Sequence, residues 1–240
     1  MMFTGLTLAN VLGLSLGTAL SQAMGWRATF WAVTMNGVVA AAALAVCLPK
    51  HIGMSKTSLL LHEFTVLKNL RVVMLLFISV LSSASLFSTF TYITPTLETV
   101  VAFAPHNVTP VLLLFGLGLT MGGTLGGKLA DWRVMPSLVA FLATIIAALT
   151  IFTATMPAMA TVFVWGMLTF AMIPPLQILI VGRASRAPNL ASTLNQGTFN
   201  LSNGTGAWRG GVAIDGGAPL TSLPWVGAGI AVGALALTAV

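Results

Sequence analysis

The amino-acid sequence predicts an all-α integral membrane protein of about eight transmembrane helices, and three observations carry that prediction. Of its 240 residues, 57% are hydrophobic and only 6% charged, with a mean hydropathy of +1.00. Water-soluble chains run nearer about 45 to 50% apolar and about 25% charged. The apolar residues come in continuous runs such as Val38–Leu48, "VVAAAALAVCL", without the alternation of a barrel strand, so helices are the spanning structure. The ten Lys and Arg are scattered in ones and twos between these runs, which spares the spans and builds no basic face for nucleic acid despite a net charge of +6.

Crossing roughly 30 Å of hydrocarbon takes about 20 apolar residues, and runs of that kind fall near 3–24, 28–48, 71–95, 108–130, 134–155, 158–181, 189–211 and 221–240. The first opens "MMFTGLTLAN", lacks a basic leader and exceeds a signal-peptide core, so it reads as a span. The stretch after the second, "PKHIGMSKTSLLLHEFTVLKN", is the longest and most polar connection. It separates residues 1–48, two helices, from residues 71–240, six helices, with 49–70 as a central loop. The eighth run is short and stops without a polar tail, which suggests that this end is cut.

Orientation follows from the basic residues, which favour short cytoplasmic connections. Lys50, Lys56, Lys68 and Arg71 flank the second connection, Lys128 and Arg133 the fourth, and Arg183 and Arg186 the sixth. All lie on one side if both termini are cytoplasmic, which puts Arg27, Glu98, His106 and Asp215 at the outer face.

Several polar residues stand out within the runs. Ser82, Ser85, Thr89 and Tyr92 share one face of the third, which reads either as a polar pathway or as small hydroxyl residues at a helix interface. In the seventh, Gln196, Asn200 and Asn203 form a face with Asn195 beside it; amides are costly to leave in lipid, and a cavity lining is the favoured reading. Gln177 follows Pro174 and Pro175, which end or kink the sixth helix. The fourth run closes as "GGTLGGKLADWR", where Gly122, Gly123, Gly126 and Gly127 make two overlapping small-xxx-small pairs. Asp131 stands where it can pair with a neighbouring cation or cap the next helix. Arg209 reads as snorkelling to the outer interface.

Chemistry of other kinds finds no support. Cys47 is the only cysteine, and His51, His62 and His106 lie on loops without metal-ligand spacing, so no metal or cofactor is expected. "GLSLG", Gly13 to Gly17, matches a hydrolase elbow in letters but lies in an apolar helix with no strand before it. No nucleophile, base or metal set marks an enzyme.

The residues "GGKLADWR" resemble the cytoplasmic loop signature of the major facilitator superfamily, in which an Asp beside basic residues joins a charge relay that stabilises one end of an alternating-access cycle. The resemblance gives that role to Asp131, with a share for Arg133, although Trp132 stands where the family has Arg. "GLTLANVLGLSLGTALSQAMGWRATFW" is similar to the fifth helix of the drug and sugar efflux branch, where a Gly- and Pro-bearing antiporter motif bends the helix. Gly13 and Gly17 match it, whereas Ser15 and Ser21 replace a frequent Pro and Gly. "LASTLNQGTFNLSNGTGAWRGGVAID" resembles the eleventh helix. The chain thus looks like helices 5 to 12, a partial major facilitator fold whose long loop is the one between the family's halves.

What the resemblance implies is a secondary active transporter of the inner membrane, exporting a small molecule such as a drug or sugar by proton-linked alternating access. Its partners are then that substrate, protons and the lipid bilayer, and an N-terminal half is expected to be missing. Glu63, Glu98, Asp131 and Asp215 all lie away from span centres, so no midplane proton carrier is visible. The alternative is a non-transporting remnant, or a split-transporter partner working with a separate N-terminal piece.

Overall fold

The structure, a computed structural model, describes residues 12–13, 16–47, 64–155, 159–184 and 187–239. The helices are α1 (16–24), α2 (Trp26–Cys47), α3 (Leu70–Phe90), α4 (Ile93–Thr99), α5 (Pro105–Trp132), α6 (Val134–Thr155), α7 (Met159–Ala171), α8 (Ile173–Arg183), α9 (Pro188–Asp215) and α10 (Leu223–Thr238). A short 3-10 turn, Phe64–Lys68, leads into α3, whose first turn is capped by Asn69: its side-chain oxygen accepts from the Arg71 amide at 3.1 Å. Proline occupies the first turn of α5, α8, α9 and α10, where its missing N–H costs nothing and its fixed φ suits the helix.

Among the described residues, six segments are long and apolar enough to cross a membrane: Trp26–Cys47, Leu70–Thr99, His106–Trp132, Val134–Phe152, Met159–Arg183 and Leu220–Thr238. They match six of the eight expected runs. Half of the first expected run (3–11, 14 and 15), and the central loop as far as Glu63, with Lys50, His51, Lys56 and His62, lie outside the described residues, as does Arg186. The seventh expected run is α9, 28 residues long and therefore about 42 Å at 1.5 Å per residue. Its Asn, Gln, Ser, Thr and Gly keep it out of the apolar six, so it is a membrane-length helix whose apolar surface is a narrow stripe, Leu190, Leu194, Leu201, Trp208 and Val212.

Three glycine seams hold the bundle of α3 to α10. On α5, a Cβ at Gly118, Gly122 or Gly126 would run into the backbone of Phe163, Met167 or Ala171 on α7; α7 answers with Gly166, where a Cβ would come within 2.8 Å of the Phe115 oxygen. α3 is gripped on both sides. A Cβ at Gly206 of α9 would sit 2.7 Å from the Ala84 oxygen, and one at Gly227 of α10 would sit 2.8 Å from the Ser85 oxygen. Lipid offers no hydrophobic drive between helices, so such close backbone approach is what binds them.

Two separate apolar cores fill the bundle. The larger gathers Leu97, Leu112, Phe115, Leu138, Leu142, Leu149 and Trp165 among others. The smaller lies at the end marked by Asn69 and Arg183 and contains Val66, Val72, Leu76, Ile180, Ala184, Ala187 and Ala191. Helix α2 stands apart: none of its residues is buried, and Phe30, Trp31, Val38 and Val46 are all more than 60% exposed.

Candidate substrate pathway

The hydroxyls of Ser82, Ser85, Thr89 and Tyr92 are each hydrogen-bonded to a backbone carbonyl. Ser85 Oγ donates to the Gly227 oxygen at 2.7 Å and Thr89 Oγ1 to the Leu223 oxygen at 3.4 Å, both on α10. Tyr92 Oη donates to the Ala207 oxygen of α9 at 2.9 Å. Ser82 bonds within its own helix, to the Ile78 oxygen at 2.6 Å. All three of Ser82, Ser85 and Thr89 are buried. Of the two readings open for this stripe, the geometry is that of hydroxyls at a helix interface.

Helix α9 behaves differently on its two sides. At 3.6 residues per turn, Gln196, Asn200 and Asn203 fall within about 60° of one another, with Asn195 about 100° round from Gln196. The first three are exposed. Asn200 Nδ2 reaches only its own helix, the Gln196 carbonyl, at 3.1 Å. Asn195 points into the bundle and is buried. Its Oδ1 accepts from Ser79 Oγ at 2.7 Å, and its Nδ2 donates to Gln177 Oε1 at 2.6 Å. Gln177 Nε2 in turn donates to Ser192 Oγ at 2.7 Å. One chain of hydrogen bonds therefore ties α3, α8 and α9 together.

The structure thus brings Gln177 and Asn195 together and leaves Gln196, Asn200 and Asn203 facing away from the bundle. Sequence reasoning passed over Ser79 and Ser192, although each sits three residues before a residue it did single out, Ser82 and Asn195.

The α7–α8 boundary explains why Gln177 is presented here. Pro174 and Pro175 have no N–H, so the carbonyls of Phe170 and Ala171 lose their donors four residues on, and the helix breaks at Met172. The Ala171 oxygen faces Gly126 of α5, where only a missing Cβ leaves room for it. Beside the break runs a ladder of rings: Phe170 and Phe199 are edge-to-face at 6.4 Å, Phe199 and Phe87 at 5.3 Å, and Phe90, Phe115 and Trp165 continue it into the larger core. Trp165 is fully buried and its Nε1 has no hydrogen-bond partner among the described residues.

The conformational residues also divide. Gly126 is locked against α7, whereas a Cβ at Gly127 or Gly13 would meet nothing within 4 Å, and one at Gly17 would touch only Thr29, at 3.8 Å. Gly127 therefore packs against nothing among the described residues. Asp131 is exposed, and among the described residues it neither pairs with a cation nor caps α6. Ser137 Oγ donates to the Arg133 oxygen at 2.6 Å and to the Leu129 oxygen of α5 at 3.0 Å, tying the first turn of α6 to the end of α5. Arg133 lies over the Trp132 ring, 5.7 Å from its centre. Arg209 is exposed six residues before the end of α9.

Six membrane-length apolar segments packed around a broken helix define a polytopic membrane protein. Comparison with known proteins agrees. Residues 1–207 match the Major Facilitator Superfamily, and the chain belongs to that family. It is 39% identical over 234 residues to the inner membrane transport protein YdhP of Escherichia coli (strain K12), which covers 96% of this chain and 60% of that protein. It is 31% identical over 247 residues to the uncharacterized MFS-type transporter YtbD of Bacillus subtilis (strain 168), covering 99% of this chain and 62% of that protein. The chain therefore spans about 60% of the length of these relatives.

Proposed function

We propose that this chain forms part of a secondary transporter of the inner membrane that exports a small molecule such as a drug or sugar by alternating access, both termini lying in the cytoplasm. The observation that carries the reading is the outward face of α9. Gln196, Asn200 and Asn203 are exposed on a membrane-length helix, and amides facing hydrocarbon go unsatisfied at a cost of several kcal/mol each on alkane-like scales, roughly 4 to 8. That face therefore lines water or polar protein, which is the property of a substrate pathway.

Three residues form the wall of the pathway in this reading. Gln177 and Asn195 support it from within the bundle, and the hydroxyls of Ser82, Ser85, Thr89 and Tyr92 hold the helices that frame it. Asp131 and Arg133, with Gly13, Gly17, Gly126 and Gly127, are proposed to act in the switch between inward- and outward-facing states. The exposure of Asp131 leaves it free to pair in another state. Proton coupling is proposed from the antiporter-like stretch around Gly13 and Gly17. Glu98, Asp131 and Asp215, the acidic groups among the described residues, all stand at helix ends, so coupling draws on groups outside them.

A second reading, that the chain works as the partner of a separate set of helices, is favoured by α2. Its entirely unburied surface suits a helix that packs against protein other than the described bundle. Export of a labelled sugar and of a fluorescent lipophilic drug, measured in cells expressing the protein, tests the transport reading. Gln196→Ala and Asn200→Ala are expected to lower export at unchanged membrane abundance, and full export by both variants would sink the pathway assignment.

A further inference from the structure

We infer that Asn195 is a positioning residue: through Ser79 and Gln177 it sets the rotation of α9 about its own axis, and so decides which amides of that helix face the pathway. The inference rests on the pathway reading and deepens it. At 3.6 residues per turn α9 carries one narrow apolar stripe, Leu190, Leu194, Leu201, Trp208 and Val212 within about 40°, and polar or small residues over most of the rest of its surface, Asn195 among them on the side that meets α3 and α8. A single buried polar residue with dedicated partners is the best-attested device for fixing helix register.

Asn195 has that device. It is 7% exposed, and it both accepts and donates across helix boundaries, to α3 through Ser79 and to α8 through Gln177. Turning α9 by one residue, about 100°, breaks both bonds and moves Gln196 toward the bundle. The outer half of the helix is held separately: Gly206 and Gly210 abut Ala84, Ser88 and Tyr92, and Tyr92 bonds to Ala207. The network is needed where those contacts stop, in the half nearer Pro188, and it lies beside the smaller core, where Ala191 is fully buried.

The test is thiol accessibility in membrane vesicles containing the whole chain. With exposed Cys47 replaced by Ser, single cysteines are placed at Gln196, Asn200, Ala191 and Val212, and each is reacted with a membrane-impermeant maleimide. In the parent, Gln196→Cys and Asn200→Cys are expected to react at least about tenfold faster than buried Ala191→Cys, because thiolate forms in water and not in a packed core. Adding Asn195→Leu removes two interhelical bonds, together worth about tenfold in the population of the native rotation, and the difference between positions 196 and 191 should shrink to within about threefold while exposed Val212→Cys stays unchanged. Ser79→Ala, which removes one bond and little volume, should produce a smaller shift in the same direction and decides the matter if Asn195→Leu fails to reach the membrane. An unchanged pattern in both variants overturns the positioning role and leaves the pathway reading standing. A parent in which positions 196 and 200 react no faster than 191 overturns both.

Discussion

Replacing Gly126 by Ala puts a methyl group where α5 and α7 touch. That carbon would lie 2.6 Å from the Ala171 carbonyl carbon and 2.7 Å from its Cα, against the 3.4 Å at which ordinary contact begins. The obstacle is backbone and cannot rotate away, and the Ala171 oxygen is nearer still than these two carbons, so the seam must open by about 1 Å or more, a gap that forfeits about half of each dispersion well it crosses. Overpacking of this kind costs about 1 to 3 kcal/mol, offset by about 1 kcal/mol because Ala is the better helix former. Gly127, one residue on, meets nothing within 4 Å, so Gly127→Ala should keep the helix-forming gain without the clash. The two single-methyl variants should therefore differ by about 1 to 3 kcal/mol, which at about 2 to 4 °C per kcal/mol for a chain of this size is a gap in Tm of about 2 to 12 °C. Thermal unfolding of the detergent-purified variants, followed by tryptophan fluorescence, reads it directly. A Gly126→Ala protein as stable as Gly127→Ala would refute the close-contact account of the α5–α7 seam.

Other consequences can be checked with the same preparations. Tyr92→Phe removes one interhelical bond to the Ala207 oxygen and should lower stability by about 0.6 kcal/mol, visible as a small drop in Tm with no change in membrane insertion. Asp131→Asn changes a group that is exposed and, among the described residues, unpaired; stability should stay within about 0.5 kcal/mol, while export falls if the residue serves the switch. Trp165→Phe deletes a buried donor without a partner among the described residues, relieving a cost of about 1 to 3 kcal/mol that offsets the cavity it leaves, so its Tm should fall much less than that of Phe115→Ala.

How far the protein could be read from its letters differs from element to element. The apolar runs of α2, α3, α5, α6 and α10 were legible because span length and composition alone define them. For α9 the same measure recognised a span but overstated its apolar character, since Leu190, Leu194 and Leu201 make only a narrow stripe on a helix otherwise rich in amides and glycines. The glycines show the limit most clearly. Spacing in steps of four marks both Gly122–Gly126 and Gly123–Gly127, yet only the first pair faces α7, and Gly118 extends that seam one step earlier. Which register of a glycine repeat meets a partner depends on the crossing of two helices, which no single helix encodes. The spacing of the α3 hydroxyls is legible, but that Ser85 and Thr89 meet α10 depends on a neighbour more than 130 residues away in sequence. Gln177 and Asn195 were each noticed alone; their bond joins α8 to α9 and appears only when those helices are side by side.

The central claim is that the outward face of α9 lines a path that opens to each side of the membrane in turn, and the most direct measurement is the sidedness of Asn200. In a Cys47→Ser background, Asn200→Cys is exposed to a membrane-impermeant maleimide added only outside intact cells or only to the cytoplasmic face of inverted vesicles. The account predicts reaction from both sides, with prior blocking from one side removing reaction from the other. Reaction from one side alone, or from neither, contradicts it.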